Sequence, residues 1–383
     1  MAPARVPGRA TADRLSALDG LRGLAALLVV VYHSWVASSF AAVGGGAVRD
    51  LISAGFLAVN FFFVLSGFVL FLPAARGAGS LGARSAYAVR RIARIVPAYS
   101  LALVLALVLF PLLAPAGRTF ANSVSPESVF AHFTFTELEL RFIPGYEGPL
   151  GFVVNHPVWT LAVEMAFYAV LPFIARAWFR RPFAALVLTV VLSCGLRIWF
   201  SPDEQLLSLP LVYAADFGFG MTAAWIYVRN RDAFHRYALP LGLIAGAALL
   251  LLMVVVGAAD AAAVRERVRH SALVSTAAPL LFAGVALAFA WRPPRLLAGR
   301  VARWLGELSY GVYLLHIMVV HFLVNTAGFS HDGSTAAFLA ILAVAVPVSL
   351  AAAAVSYHLV EQPARARARD WLAARGAVRG VID

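Results

Sequence analysis

The sequence predicts an all-α, polytopic membrane protein, a bundle of about ten transmembrane helices. Three observations carry that expectation. Of 383 residues, 62% are hydrophobic and only 13% are charged, about half the roughly 25% charge of a soluble domain. Mean hydropathy is +0.83. Apolar runs about 20 residues long, enough to cross a hydrocarbon core as a helix, recur from one end of the chain to the other. A soluble fold is excluded. The runs are 17–37, 51–72, 96–116, 158–178, 182–200, 209–228, 237–257, 271–291, 307–327 and 335–358.

Arg5, Arg9 and Arg14 precede the first run, as basic residues precede a signal peptide. Its length and its patterned polar residues favour an uncleaved span. Arg22 and His33 are eleven residues apart. On a helix that is three turns plus about 20°, so they share one face, about 16 Å apart along the axis. Asp19, three residues before Arg22, is placed to steady it.

The second run carries Asn60 and Ser66, and the third follows Arg84, Arg90, Arg91 and Arg94. Spacings of three and four stack these arginines on one helix face. They serve equally as topology signals or as a phosphate grip, since guanidinium groups bind phosphate through paired hydrogen bonds. Segment 117–157 mixes Glu127, Glu137, Glu139 and Glu147 with Phe120, Phe130, Phe133, Phe135, Phe142 and Tyr146. That composition suits a segment lying at the interface and capping the bundle, or a plain connector.

Later runs add Glu164, Asp216, His316 and His321. Ionisable groups inside a span are costly, so each is a candidate for function. Counted from the ends expected to face outward, His33 is four residues in, Asn60 nine, Glu164 six, Asp216 seven, His321 six and His316 eleven. Several polar groups therefore converge on the outer half of the bilayer. A polar cavity would satisfy them; so would an interhelical hydrogen-bond network, the preferred reading for Asp216 and His321. The single cysteine, Cys194, allows no intrachain disulfide and reads as a packed small residue.

Net charge is +12, and all 31 basic residues are Arg, a pattern of GC-rich coding. Such a balance also suits nucleic-acid binding, but these arginines sit in short loops between apolar runs, so no nucleic-acid partner is expected. With the N-terminus inside, 23 arginines fall on inner segments. Six fall outside: Arg49, Arg118, Arg141, Arg265, Arg267 and Arg269. The asymmetry places both termini in the cytoplasm of a multi-pass protein of a bacterial inner or plasma membrane. Arg265, Arg267 and Arg269 dissent and make 237–291 the least secure part of the topology.

Six motifs in order resemble the acyltransferase-3 family of integral membrane acyltransferases, over about 15–365, leaving 366–383 as a short basic cytoplasmic tail. LDGLRGLAALLVVVYH at 18–33 resembles the family's first span, with an Arg-x10-His signature on Arg22 and His33. VNFFFVLSGF at 59–68 resembles its Phe-rich Ser-Gly-Phe motif, with Ser66 and Gly67. RRIARIVPAY at 90–99 is similar to its Arg-x-x-Arg element, on Arg91 and Arg94. HPVWTLAVEMAFY at 156–168 resembles its Trp-x-Leu-x-x-Glu motif, placing Glu164. SYGVYLLH at 309–316 and EQP at 361–363 match the closing motifs, with His316 and Glu361.

The resemblance implies transfer of an acyl group, acetyl by default, from cytoplasmic acyl-CoA to a hydroxyl of a glycan, glycolipid or small glycosylated metabolite. Many family members add a further span and an SGNH hydrolase-like domain; this chain is expected to be a stand-alone form acylating its acceptor directly. No resident metal or cofactor is expected, and acyl-CoA is the donor co-substrate. Arg22, Arg91 and Arg94 then hold the CoA phosphates, and the pantetheine arm threads the bundle toward His33. His33 acts as general base or is itself acylated, and Glu164 orients its ring as the acid of a hydrolase triad does. Asp19, Asn60, Ser66 and His316 support the site. A proton-coupled transporter or flippase of envelope precursors also needs membrane carboxylates and histidines, but no paired halves or matching broken spans are evident. A non-catalytic scaffold would tolerate replacement of His33, Arg91 and Arg94.

Overall fold

The computed structural model describes residues 8–43, 46–113, 125–138, 156–200, 206–229, 235–258 and 271–375. Ten helical stretches among them are long and apolar enough to cross a bilayer, one for each expected run. The elements are α1 (Gly8–Ala37), α2 (Ala47–Ser53), α3 (Ala58–Arg76), α4 (Arg84–Leu113), α5 (Pro126–Thr134), α6 (Trp159–Arg180) and α7 (Pro182–Phe200). There follow α8 (Ala214–Arg229), α9 (Ala238–Gly257), α10 (Ala272–Trp291), α11 (Arg300–Asn325), α12 (Thr335–Ser356) and α13 (Gln362–Ala374). A 3₁₀ turn, Ala54–Leu57, joins α2 to α3 within one span, and a π turn, Tyr357–Glu361, joins α12 to α13.

Hydrophobicity is distributed for lipid. Val187, Leu188, Leu243, Ile244 and Leu251 point outward and are exposed, which in water would be an oversized apolar patch. Polar Ser309, His316, Asp216 and Glu361 lie inside. The bundle is held by close helix pairs, chiefly α1 with α11, α3 with α8, α9 with α10 and α11 with α12. Small residues make the closest of these, as they do where apolar lipid offers no hydrophobic drive for association. A Cβ on Gly67 of α3 would overlap the Phe217 carbonyl, and one on Gly220 of α8 the Val64 carbonyl. The α3–α8 crossing therefore tolerates a side chain at neither position.

Two boundaries differ from the hydropathy reading. The third span was expected from residue 96, but α4 begins at Arg84. Its first three turns carry the arginine cluster, whose charge a hydropathy window reads as loop. The last span continues through the π turn into α13, which packs against α4. Between α4 and α6, α5 begins at a Ser125 cap whose side chain accepts from the Ser128 amide. Phe135 just beyond it stacks on Tyr99 of α4 with centroids 4.3 Å apart, and Tyr99 donates to the His132 carbonyl at 2.9 Å. This part of the interfacial segment thus lies against α4; Phe120, Glu139, Phe142, Tyr146 and Glu147 fall outside the described residues. So do Arg265, Arg267 and Arg269.

Candidate active site

The polar residues of α1, α3, α4, α6 and α11 surround two cavities. One, about 70 Å³, is lined by Arg22, Arg91, Arg94, Ser66, Glu164 and Tyr168, among others. The second, about 490 Å³, is lined by His33, Asn60, Trp159, Arg197, Tyr213 and His321, among others. Val59 and Tyr313 belong to both walls. The Tyr313 hydroxyl donates to the Pro157 carbonyl at 2.8 Å and shares a 2.7 Å bond with the Thr160 hydroxyl. That ring is pinned across the neck between the two spaces.

Arg22 and His33 divide between the cavities, as their spacing along one face of α1 requires. In the smaller cavity Asp19 pairs with Arg22 at 3.4 Å, and the Arg22 side chain is only 14% exposed. Arg91 lies over the rings of Tyr87 and Tyr168, at 5.7 and 5.8 Å. Tyr310 of α11 donates to the Ile95 carbonyl at 2.8 Å, fixing α4 beside α11. Three guanidinium groups brought in from two helices, that of Arg91 backed by aromatic rings, make this wall strongly cationic.

Glu164 belongs to this cavity and not to the neighbourhood of His33. Its Oε1 accepts from Ser66 at 2.7 Å and Tyr168 at 2.6 Å. The triad arrangement expected from sequence is therefore corrected. Counting depth from the end of a span assumes that every span starts at the same level, whereas α6 starts at the neck. Trp159 lines the larger cavity, Thr160 and Leu161 the smaller, and Glu164 lies a turn further on. There it is the carboxylate among three arginines.

His33 meets His316 instead. His316 Nε2 lies 3.1 Å from His33 Nδ1, with ring centroids 5.0 Å apart. The bonds fix the tautomers. His316 Nδ1 contacts the carbonyls of Val312 at 3.1 Å and Tyr313 at 2.8 Å; a carbonyl only accepts, so that nitrogen carries the proton and Nε2 of the neutral ring accepts. His33 Nδ1 then faces two acceptors, His316 Nε2 and the Val29 carbonyl at 3.0 Å, and must donate. The lone pair of neutral His33 is left on Nε2.

Asn60 donates to Asp216 at 2.7 Å, so Asp216, buried behind the wall, joins α3 to α8 in the interhelical manner preferred for it from sequence. His321 lines the larger cavity, where a network role alone had been preferred. Cys194 contacts the Thr276 hydroxyl at 3.4 Å. Sequence reasoning missed Arg197 and Tyr313 as site residues. The signal for Arg197 was present, a charge within a span; Tyr313 stands in the SYGVYLLH motif, where His316 drew the attention.

The family model of the acyltransferase domain, acyltransferase 3, matches residues 15–354. Among curated relatives, the acyltransferase MdmB of Streptomyces mycarofaciens is 27% identical, with 91% of each chain covered. YrhL of Bacillus subtilis, provisionally assigned as a peptidoglycan O-acetyltransferase, is 26% identical over 91% of this chain and 54% of its own length. The peptidoglycan O-acetyltransferase OatA of Listeria monocytogenes is 23% identical over 91% of this chain and 55% of its own. The chain thus spans about half the length of YrhL and OatA and nearly all of MdmB. No solved structure matches. With one family model covering most of the chain, the chain belongs to the acyltransferase-3 family of membrane acyltransferases.

Proposed function

We propose that the protein transfers an acyl group, acetyl by default, from acyl-CoA to a hydroxyl of a glycan, glycolipid or small glycosylated metabolite. One observation carries the reading: a cationic cavity and a histidine cavity sit end to end and share Tyr313 at their neck. Arg22, Arg91 and Arg94 suit the phosphates of the donor, and the thioester reaches His33 when the Tyr313 neck opens. The acceptor hydroxyl enters the larger cavity, whose volume falls in the usual range for small-molecule sites.

In the reaction, His33 Nε2 takes the hydroxyl proton as the oxygen attacks the thioester carbonyl. The tetrahedral intermediate collapses, the carbon–sulfur bond breaks, and the departing thiolate takes the proton back from His33. His316 orients the ring and accepts from Nδ1–H while His33 is charged. Glu164 offsets the arginine charge and holds α6 to α3 through Ser66. The relatives' names support the acyl transfer; the donor and acceptor are this proposal's own.

Purified protein in lipid nanodiscs, given acetyl-labelled acetyl-CoA and a methyl glycoside, should form a labelled ester without any ion gradient. His33→Ala should slow that reaction about 10²–10⁴-fold. Gradient-dependent uptake of glycoside into vesicles, with no ester formed, would replace this reading with transport.

A further inference from the structure

Arg197 sits in α7 and is 4% exposed. A guanidinium at membrane depth is costly unless its donors are met, and these are largely unmet. Nη2 makes one long bond, 3.3 Å, to the Val212 carbonyl, and the buried Nε has no partner. The group lies 4.9 Å over the Tyr213 ring, which supports its face and leaves its edge open. Asp216 is within electrostatic reach but is bonded by Asn60 at 2.7 Å; it offsets the charge without filling the fork. The fork forms part of the wall of the 490 Å³ cavity that also holds His33.

We propose that Arg197 recognises an anionic group, a carboxylate or phosphate, on the acceptor sugar, and so sets the acceptor class. This rests on the reading that the His33 cavity receives the acceptor. Two parallel N–H donors match two oxygens of either anion, and a planar fork braced by an aromatic ring is already oriented for them. Half-buried Trp159, in the same wall and 5.5 Å from Tyr213 between centroids, offers a flat apolar face for the C–H face of a sugar ring. An acceptor anchored by its anion at Arg197 then presents a hydroxyl elsewhere on the ring to His33.

The test compares three ligands with one ring: methyl β-D-glucoside, methyl β-D-glucuronide and methyl β-D-glucoside 6-phosphate. Binding to the full-length protein in nanodiscs is read by quenching of tryptophan fluorescence. The two anionic glycosides should bind about tenfold or more tighter than the neutral one, the size expected of a charged hydrogen bond. Arg197→Gln should bring the ratio near one. Arg197→Lys, which keeps the charge and loses the fork, should lower it severalfold. An anion preference unchanged in both variants, or none in the wild type, overturns the proposal. Inorganic phosphate displacing all three glycosides as strongly as the anionic ones displace each other assigns the fork to free phosphate and also overturns it. Labelled acetyl-CoA in the same preparation separates the two readings. Charge discrimination without any ester formed removes the acyl transfer and leaves the anion site; equal acetylation of all three leaves the transfer and removes the anion site.

Discussion

At the scale of single residues, the histidine pair is the centre of the proposed chemistry. His316 has its Nδ1 proton held by two carbonyls, so its other nitrogen presents a fixed acceptor to His33. His316→Gln keeps an acceptor near that position and should retain most of the rate, whereas His316→Leu should lose about 10–100-fold, the cost typical of removing an orienting partner. Equal loss in both variants would mean that His316 only fills space. Glu164 yields the opposite expectation. Because its oxygen serves Ser66 and Tyr168, Glu164→Ala should lower the melting temperature, whereas Glu164→Gln keeps an accepting oxygen and should chiefly change the affinity for acetyl-CoA as the arginine charge is left unbalanced. A fall in kcat alone, with melting and donor KM unchanged, would restore the triad role read from the sequence. Arg22 and His33 were legible because both lie in one helix, where spacing alone fixes direction. The His33–His316 contact joins residues 283 apart in sequence, and no local period encodes it.

Elements were far more legible than contacts. Each of the ten apolar runs became a helix because length and hydropathy are nearly sufficient conditions for spanning lipid. The exceptions share a cause. The first turns of α4 and the whole of α13 are rich in arginine yet helical; Arg84 lies over Phe173, Arg91 over Tyr87 and Tyr168, and Arg365 pairs with Glu361. At the α12–α13 junction Glu361 is fully buried and accepts from Arg365 at 2.9 Å, while Arg365 remains 26% exposed. The π turn ends on that carboxylate. Arg365→Met leaves the carboxylate with Arg94 as its remaining nearby cation and should lower stability by less than the roughly 3–5 kcal/mol of a fully buried pair, read as a lower melting temperature in detergent. Adding Glu361→Gln should recover most of it. A double variant melting as low as the single would show that the pair does not brace this junction. The Ser-Gly pair of α3 was legible only as a motif; its physical ground is the α3–α8 crossing, where Gly67 meets the Phe217 carbonyl.

For the whole molecule, the arrangement of the two cavities makes sidedness the decisive property. On the proposed reading, the arginines at the small cavity face the cytoplasm, the side that positive charge favours. On that reading the large cavity serves the opposite leaflet, and donor and acceptor arrive from different compartments. The arginine-lined cavity holds only about 70 Å³, too little for a pantetheine arm as it stands. On the proposed reading, donor binding displaces the Tyr313 bonds to Pro157 and Thr160 before the thioester reaches His33. Sealed membrane vesicles of both orientations test this directly. Acetyl-CoA supplied outside inverted vesicles, with a membrane-impermeant glycoside trapped inside, should yield ester in the lumen. The same reagents in right-side-out vesicles, donor outside and acceptor inside, should yield none. Equal yields in both orientations would mean that donor and acceptor enter from one side, and the end-to-end reading of the cavities would fail.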